Sequence, residues 1–600
     1  MIRRFLLLII IIIIPVILLA SQQDIIKYAE QSKLYHTNQW KALLHYNQKF
    51  DIEDNTFILS KQKTLKSELL TNLRGFYQKK ENFNNLNEHP ICRFPARFLF
   101  ITHELNISRN EFPDINCPDF EVYKKKAPAD NISLIFASEK VSSPSSMMGH
   151  TFLKYRGKNY QNIEVEHAVS FYTIIETVNI FKLAYQNIFS GMKGLFALQP
   201  YRQLLLQYTQ QEHRNIWEYQ LKLSPYERKL IYYHIWELKD IDMKYFFTSY
   251  NCSTVIYYTL SLVNPKIYED KKLWITPLDT VKFLYKYDLI QTSKLLPSDE
   301  WLVKMIEENT DSRNIDYVKR IITHKEYSRI EQLDFYALEL LNAYSTVEYN
   351  KKNISKKDLD IIKLAIDKTV GDNNLYFDIS KYKSPNKIPH ERQAEVAYSN
   401  VNNDSYIKLS FLGASHLIND NNREYFGESE LKIGYLSLLV NKSNLELNEF
   451  TLYSMKSYIP YDTLTKDLSY QFELAIKKEY TKSMQYLDTM KVDGGVGIDF
   501  LIAKDINMFL ILNGGIGYNK KDHIHFFFNP EVGAMIYEVF NMKSYFSYQP
   551  VFINTNKAYD KYTLRHNIFF NKDWTFSMDT EAIQGKDKYL NYGFSIKKLF

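Results

Sequence analysis

Six hundred residues exceed what one hydrophobic core organises, so the chain is expected to divide into several domains. A formal net charge of +6 is small for this length and excludes an electrostatic case for nucleic acid. Tyrosine (47) and phenylalanine (38) are abundant, which suits β-structure and membrane interfaces.

The chain opens Met1-Ile2-Arg3-Arg4, runs apolar over residues 5–19 and reaches Ala20-Ser21. This is the order of a secretory signal. The run is shorter than the roughly 20 residues of a spanning helix, so a signal peptide over 1–20 is expected, cleaved near Ala20. Residues 21–122 read as a helical N-terminal domain, with Leu65, Leu69, Leu73 and Phe76 at helical spacing. Cys92-Arg93-Phe94-Pro95-Ala96-Arg97 then opens a connector that reaches Cys117. Export implies an oxidising compartment. Cys92 and Cys117, near neighbours in one segment, are expected to pair, closing a loop worth about 3 kcal/mol in the chain-entropy model. Cys252 is then the leftover thiol, and catalysis is a common reason for one in an exported protein.

Residues 123–290 carry the features of a thiol domain. Residues 132–137 read as a buried strand, followed by the small-residue loop Ser142-Ser143-Pro144-Ser145-Ser146-Met147-Met148-Gly149-His150. Residues 151–155 and 163–173 read as a hairpin around a turn at 156–159. His150 thus starts one arm, with Glu166, Val169 and Ser170 across from it. Helical spacing runs over 211–221 and again over 225–238, the second opened by a Ser224/Glu227 capping box. Tyr245, Phe246 and Phe247 lead into Ser249-Tyr250-Asn251-Cys252-Ser253-Thr254, and 255–263 reads as a helix ending before Pro265. A cysteine at a helix start meets unbonded N–H groups and the positive end of the dipole, which favour a thiolate.

A thiol nucleophile needs a base and donors for an oxyanion. His150 is the expected base, since it follows a glycine and starts a strand. Ser170 and Glu166, which share a face, are candidates to orient its imidazole, whereas His167 points the other way. The N–H of Cys252 could supply one oxyanion donor, and Asn251, Tyr250, Ser145 or Ser146 another. Asn251 reads equally as a helix cap. The set calls for no cofactor and no metal.

Residues 291–388 read as a helical extension, the helical pattern from Trp274 onward being entered at Thr276-Pro277-Leu278-Asp279. Over 389–600 alternation replaces helical spacing: Tyr406, Lys408 and Ser410 interleave with Ile407, Leu409 and Phe411. Turn signals such as Asn419-Asp420-Asn421-Asn422 and Gly585-Lys586-Asp587 punctuate about twelve strands, an even number that suits a closed antiparallel transmembrane barrel. The last strand sets Tyr592, Phe594, Ile596, Lys598 and Phe600 on one face, an ending typical of bacterial outer-membrane barrels. The fold class expected is therefore multidomain α+β, with an outer-membrane location.

Four motifs carry a resemblance: 145–153, Ala168-Val169-Ser170-Phe171, Trp217-Glu218-Tyr219 and Asn251-Cys252-Ser253-Thr254. Together, in this order, they resemble the family once known only as DUF4105, the Lnb N-terminal periplasmic domain. Residues 92–97 resemble the small domain that often precedes it, and the barrel resembles the domain that often follows. The resemblance implies a papain-like thiol fold in the permuted order of the NlpC/P60 group, with His150 as base, Cys252 as nucleophile and the thiol domain in the periplasm. It implies acyl transfer through an acyl-cysteine, with a lipid acyl donor and a lipoprotein or cell-wall amine as acceptor. The alternatives are a cell-wall peptide amidase and a non-enzymatic barrel with a periplasmic adaptor. Two departures stand out: Ser170 occupies a position where the family motif leads one to expect Asn, and a barrel replaces membrane helices.

Overall fold

A computed structural model describes residues 22–140, 148–177, 179–370, 383–425, 427–442 and 444–600. The signal-like segment 1–20, Ser145 and Ser146 lie outside the described residues. The chain separates into two compact units, one of 1–132, 155–198 and 222–271, the other of 133–154, 199–221 and 272–600.

The first unit is built on the helix Cys252–Val263, whose residues are buried from Cys252 through Leu262. A helix buried on every side is a core helix, held by packing rather than by an amphipathic stripe. The helices Asn38–Leu43 and Pro225–Glu237 pack on it. Pro225–Glu237 starts at the reciprocal Ser224/Glu227 cap and also packs on Pro95–Glu104. Cys92 and Cys117 are joined in a disulfide, and the Trp236 indole donates to the Cys92 carbonyl at 2.9 Å. The segment after Cys92 is thus more than a connector: Pro95, with its fixed φ, starts a ten-residue helix. In the hairpin, the turn falls at 159–162 instead of 156–159. Asn159 explains the shift, because its side chain accepts from the N–H groups of Gln161 (2.9 Å) and Ile163 (3.0 Å). The strand continues through Arg156, which pairs with Glu164.

In the second unit, the strands Ile290–Leu296, Ile216–Leu221, Asn131–Ala137 and His150–Lys158 lie in that order. Ile216–Leu221 is a strand where helical spacing was expected. Trp217, Tyr219 and Leu221 are buried and alternate with half-buried Glu218 and Gln220, a period of two that pairing on both edges selects. Ile290–Leu296 is likewise a strand within a stretch that reads as helical. The helices Asp299–Glu307, Ser312–His324, Phe335–Asn350 and Lys356–Val370 follow, around a core that includes Val303, Val318, Leu340 and Ile362.

From Gln393 onward the second unit is a closed antiparallel barrel of 12 strands. Strands follow one another round the ring from Gln393–Val401 to Lys588–Leu599, and these two pair to close it, Val396 opposite Ile596. His523–Phe528 and Glu531–Glu538 share one place in the ring, since both pair with Ile506–Asn519 and with Met542–Ile553. The break between them holds Pro530, which has no N–H for a ladder. On the last strand Leu590, Tyr592, Phe594 and Ile596 are exposed while Asn591, Ser595 and Lys597 are buried. An apolar outer surface over a polar interior is the pattern of a barrel that spans a membrane.

Candidate functional site

Cys252 is the first residue of its helix and is 4% exposed. Its position is set by Asn251. The Asn251 side chain accepts from the Thr254 N–H at 3.0 Å and donates to the Phe247 carbonyl at 2.9 Å. Thr254 answers, accepting from the Asn251 N–H at 3.3 Å and donating to the Ser249 carbonyl at 3.1 Å. Asn251 therefore serves as a helix cap with both ends of its amide engaged.

The Tyr245 hydroxyl lies 3.9 Å from the Cys252 Sγ, and the Ser253 hydroxyl 3.8 Å from it. The Phe171 ring packs against both Tyr245 (5.4 Å) and Tyr250 (5.8 Å). Its neighbour Ser170 is buried and Glu166 half-buried on the same strand, Glu164–Tyr172. His167 is also on that strand, and burial pulls its pKa down. Gly194 closes this wall: its N–H donates to the Met243 carbonyl at 2.8 Å, and a Cβ there would stand 2.6 Å from the Phe171 ring. Only glycine permits that approach.

The Tyr250 hydroxyl, a candidate oxyanion donor, is 2.6 Å from the His45 Nδ1 and 3.7 Å from the Met243 Sδ. Behind it runs a buried polar chain. His45 Nε2 is 3.0 Å from His234 Nε2, and His234 Nδ1 is 3.7 Å from Glu237 Oε2. Glu237 accepts from the Arg97 backbone N–H at 2.8 Å, and the Arg97 guanidinium donates to Glu68 at 3.0 Å and to the Phe57 carbonyl at 2.9 Å. The guanidinium lies between the Phe57 and Phe94 rings, at 4.4 and 4.1 Å. Burial, reinforced by His234, holds the His45 pKa well below 6.5, so its imidazole is neutral. One proton assignment agrees with these contacts. Tyr250 donates to His45 Nδ1, His45 Nε2–H donates to His234 Nε2, and His234 Nδ1–H faces the Glu237 carboxylate. The reverse would set an imidazole lone pair against that carboxylate.

In the second unit, Gly149 has φ +83°, and a Cβ there would stand 2.9 Å from the Ala137 carbonyl oxygen. Glycine is required where the backbone turns into His150 against the neighbouring strand. The His150 ring is half-buried, with the Phe152 ring at 5.8 Å and Tyr208 at 6.5 Å. Arg214 lies over Tyr208 at 4.7 Å and donates to the carbonyls of Ser138 (2.7 Å) and Ala137 (3.0 Å). Glu218 of the Trp217-Glu218-Tyr219 motif accepts from Lys154 at 2.8 Å and from the Tyr201 hydroxyl at 2.5 Å.

Of the residues singled out in the sequence, Cys252, Asn251, Tyr250, Ser170 and Glu166 belong to the first unit and His150 to the second; Ser146 lies outside the described residues. Tyr245, His45 and His234 carry no motif signal. Tyr245 reads as one aromatic in a run, and His45 is 205 residues from its partner Tyr250. Among the described residues no group of three or more His, Cys, Asp or Glu side chains could hold a metal.

Residues 119–287 match the family model of the Lnb N-terminal periplasmic domain. Residues 383–596 and 32–104 match two domains of unknown function, DUF7840 and DUF7843. No curated relative matches the sequence. Among solved structures, the KdgM porin is similar at 7% identity, covering 35% of this chain and 99% of that one, with a TM-score of 0.22. The NanC porin is similar at 8% identity, covering 35% and 98%, with a TM-score of 0.23. An outer membrane channel from Pseudomonas putida F1 is similar at 10% identity, covering 38% and 100%, with a TM-score of 0.24. The chain matches the model of the Lnb N-terminal periplasmic domain over residues 119–287 and ends in a closed 12-strand antiparallel barrel.

Proposed function

We propose that this protein transfers acyl chains through a thioester on Cys252, from phospholipid donors to lipoprotein amines at the outer membrane. The observation that carries this reading is the setting of Cys252. It is the cysteine outside the disulfide, fixed at the start of a core helix by the Asn251 cap, with a tyrosine hydroxyl beside its sulfur. It lies inside the segment matched to a periplasmic domain. The same unit exposes Ile174 (59%), Tyr185 (59%) and Phe189 (71%), apolar surface suited to an acyl chain.

In this reading the matched domain is a permuted papain-like thiol fold and His150 is the base. His150 takes the Cys252 proton as sulfur attacks the ester carbonyl; the C–O bond breaks and the lysophospholipid oxygen receives that proton. The acceptor amine then attacks the thioester, an amide forms, the C–S bond breaks and the thiol is restored. Backbone N–H groups at the helix start would face the oxyanion.

The test is incubation of the purified full-length protein with a phospholipid donor and a synthetic lipopeptide amine. A thioester-labile mass increase on Cys252 and an N-acylated peptide are expected, with both products lost in Cys252→Ser and His150→Ala. Absence of the adduct in the wild type, with cleavage of muropeptides instead, would replace transfer by cell-wall amide hydrolysis.

A further inference from the structure

The barrel wall lines a cavity of about 350 Å³ whose charged side chains pair within it. Lys408 meets Glu395 at 3.0 Å, Lys432 meets Glu449 at 3.0 Å and Lys491 meets Asp493 at 2.6 Å. What lies at the two ends of this cavity decides what the barrel does.

One end is where the chain enters at Gln393 and finishes at Leu599. There the connection between the strands Asp404–His416 and Glu428–Val440 folds across the opening. Lys543 donates to the carbonyls of Ile418 (2.6 Å) and Asp420 (3.1 Å) and to Glu428 (2.5 Å). The Asp420 carboxylate is held by Lys597 and Gln393, and Asn567 donates to the Asn419 carbonyl. The strand that carries Lys543 stands nearly opposite the strand that the connection leaves, past 393–401, 588–599, 574–584 and 556–569 in the ring. The connection therefore bridges the bore. Beneath it Ile418 packs with Tyr458, Phe509, Ile511, Met535 and Tyr545 in an apolar layer.

The other end carries the tight hairpin turns. There Tyr480, Met484, Val551, Ile553, Tyr559 and Ile583 form a second apolar cluster. Tyr480 stands on the strand Ser469–Tyr480 and Tyr559 on Asn556–Phe569, again nearly opposite in the ring, with ring centroids 6.0 Å apart. The Tyr480 hydroxyl is bonded to Asn402 and accepts from Asn591 at 3.1 Å. An ion crossing either layer would have to shed its hydration among apolar side chains, the barrier by which hydrophobic constrictions close channels.

We infer that this barrel is a sealed membrane anchor that passes neither ions nor small solutes, its bore shut in series by the 417–425 connection and by the Tyr480–Tyr559 cluster. The inference does not depend on the chemistry of Cys252. The full-length protein, reconstituted in planar bilayers in potassium chloride, is expected to show no stepwise current, and its proteoliposomes no swelling in small sugars. Stepwise openings or swelling in the wild type would overturn it. With two seals in series, Asp420→Ala/Lys597→Ala and Tyr480→Ala/Tyr559→Ala are each expected to stay silent, and the four-fold variant to conduct. Heat-modifiable migration in gels reports folding of each variant. A folded four-fold variant that stays silent would overturn the assignment of the seals; should it not fold, the wild-type current and swelling still decide.

Discussion

His45 shows what one residue contributes through its protonation state. Its imidazole is fully buried and held neutral, with its pKa well below 6.5. The unfolded chain therefore takes up this proton first. Stability from His45 is complete above about pH 6.5 and declines as pH falls below it, by up to about 1.4 kcal/mol per pH unit for one proton. Urea titrations followed by tryptophan fluorescence should show this acid-side slope, and His45→Gln should flatten it while lowering stability at neutral pH. Tyr250→Phe, which keeps the ring against Phe171, should retain the slope. At this scale the sequence was legible where partners are near in the chain. The Asn251 cap and the helix start at Cys252 lie within four residues and could be read directly. His45 and His234, 189 residues apart, could not, because nothing local marks two imidazoles that meet only after folding.

Among elements, the helices Pro95–Glu104 and Pro225–Glu237 are tied by Arg97. Its side chain is fully buried between Glu68 and Glu237. Removing the cation leaves two buried carboxylates with less than their compensation, so Arg97→Met should cost about 3–5 kcal/mol. The urea midpoint of the first unit measures this, and Arg97→Met/Glu237→Gln should recover part of the loss. The helix Pro225–Glu237 was readable from its capping box, as was Pro277–Lys286 from Thr276 and Asp279. Ile216–Leu221 was not. Its six residues fit a short helix or a strand by composition, and what decides is pairing with Asn131–Ala137 and Ile290–Leu296, segments far away in sequence. The hairpin turn shifted for a smaller reason, the reach of the Asn159 side chain.

The whole chain combines a thiol-bearing unit with an anchor. The anchor was the most legible part, since twelve strands of alternating polarity repeat one local rule, and its count and closure follow the sequence pattern. Its seals were not legible. Asn419-Asp420-Asn421-Asn422 reads as an ordinary turn, yet Asp420 is 3% exposed and reaches Lys597 across 177 residues. The lengths of the connections also depart from the usual arrangement, in which long loops face outward. Here the long connections, those that leave His416 and Tyr458, lie at the end where the chain enters. The second is covered by the helices of the same unit, where Lys304 donates to the Pro460 carbonyl at 3.1 Å and pairs with Asp467 at 3.0 Å. Protease added to intact cells should therefore leave the chain at full length, and cleavage should begin only once the outer membrane is permeabilised; immunoblotting distinguishes the two.

Among the described residues the remote end has short turns, such as Asn402-Asn403, 554–555 and 585–587. An antibody or a phage approaching from outside would meet hairpin tips with few side chains to grip, and the protein would be nearly invisible on the cell that carries it. An epitope inserted at Lys586 would give it a handle there without touching the thiol or the buried histidines.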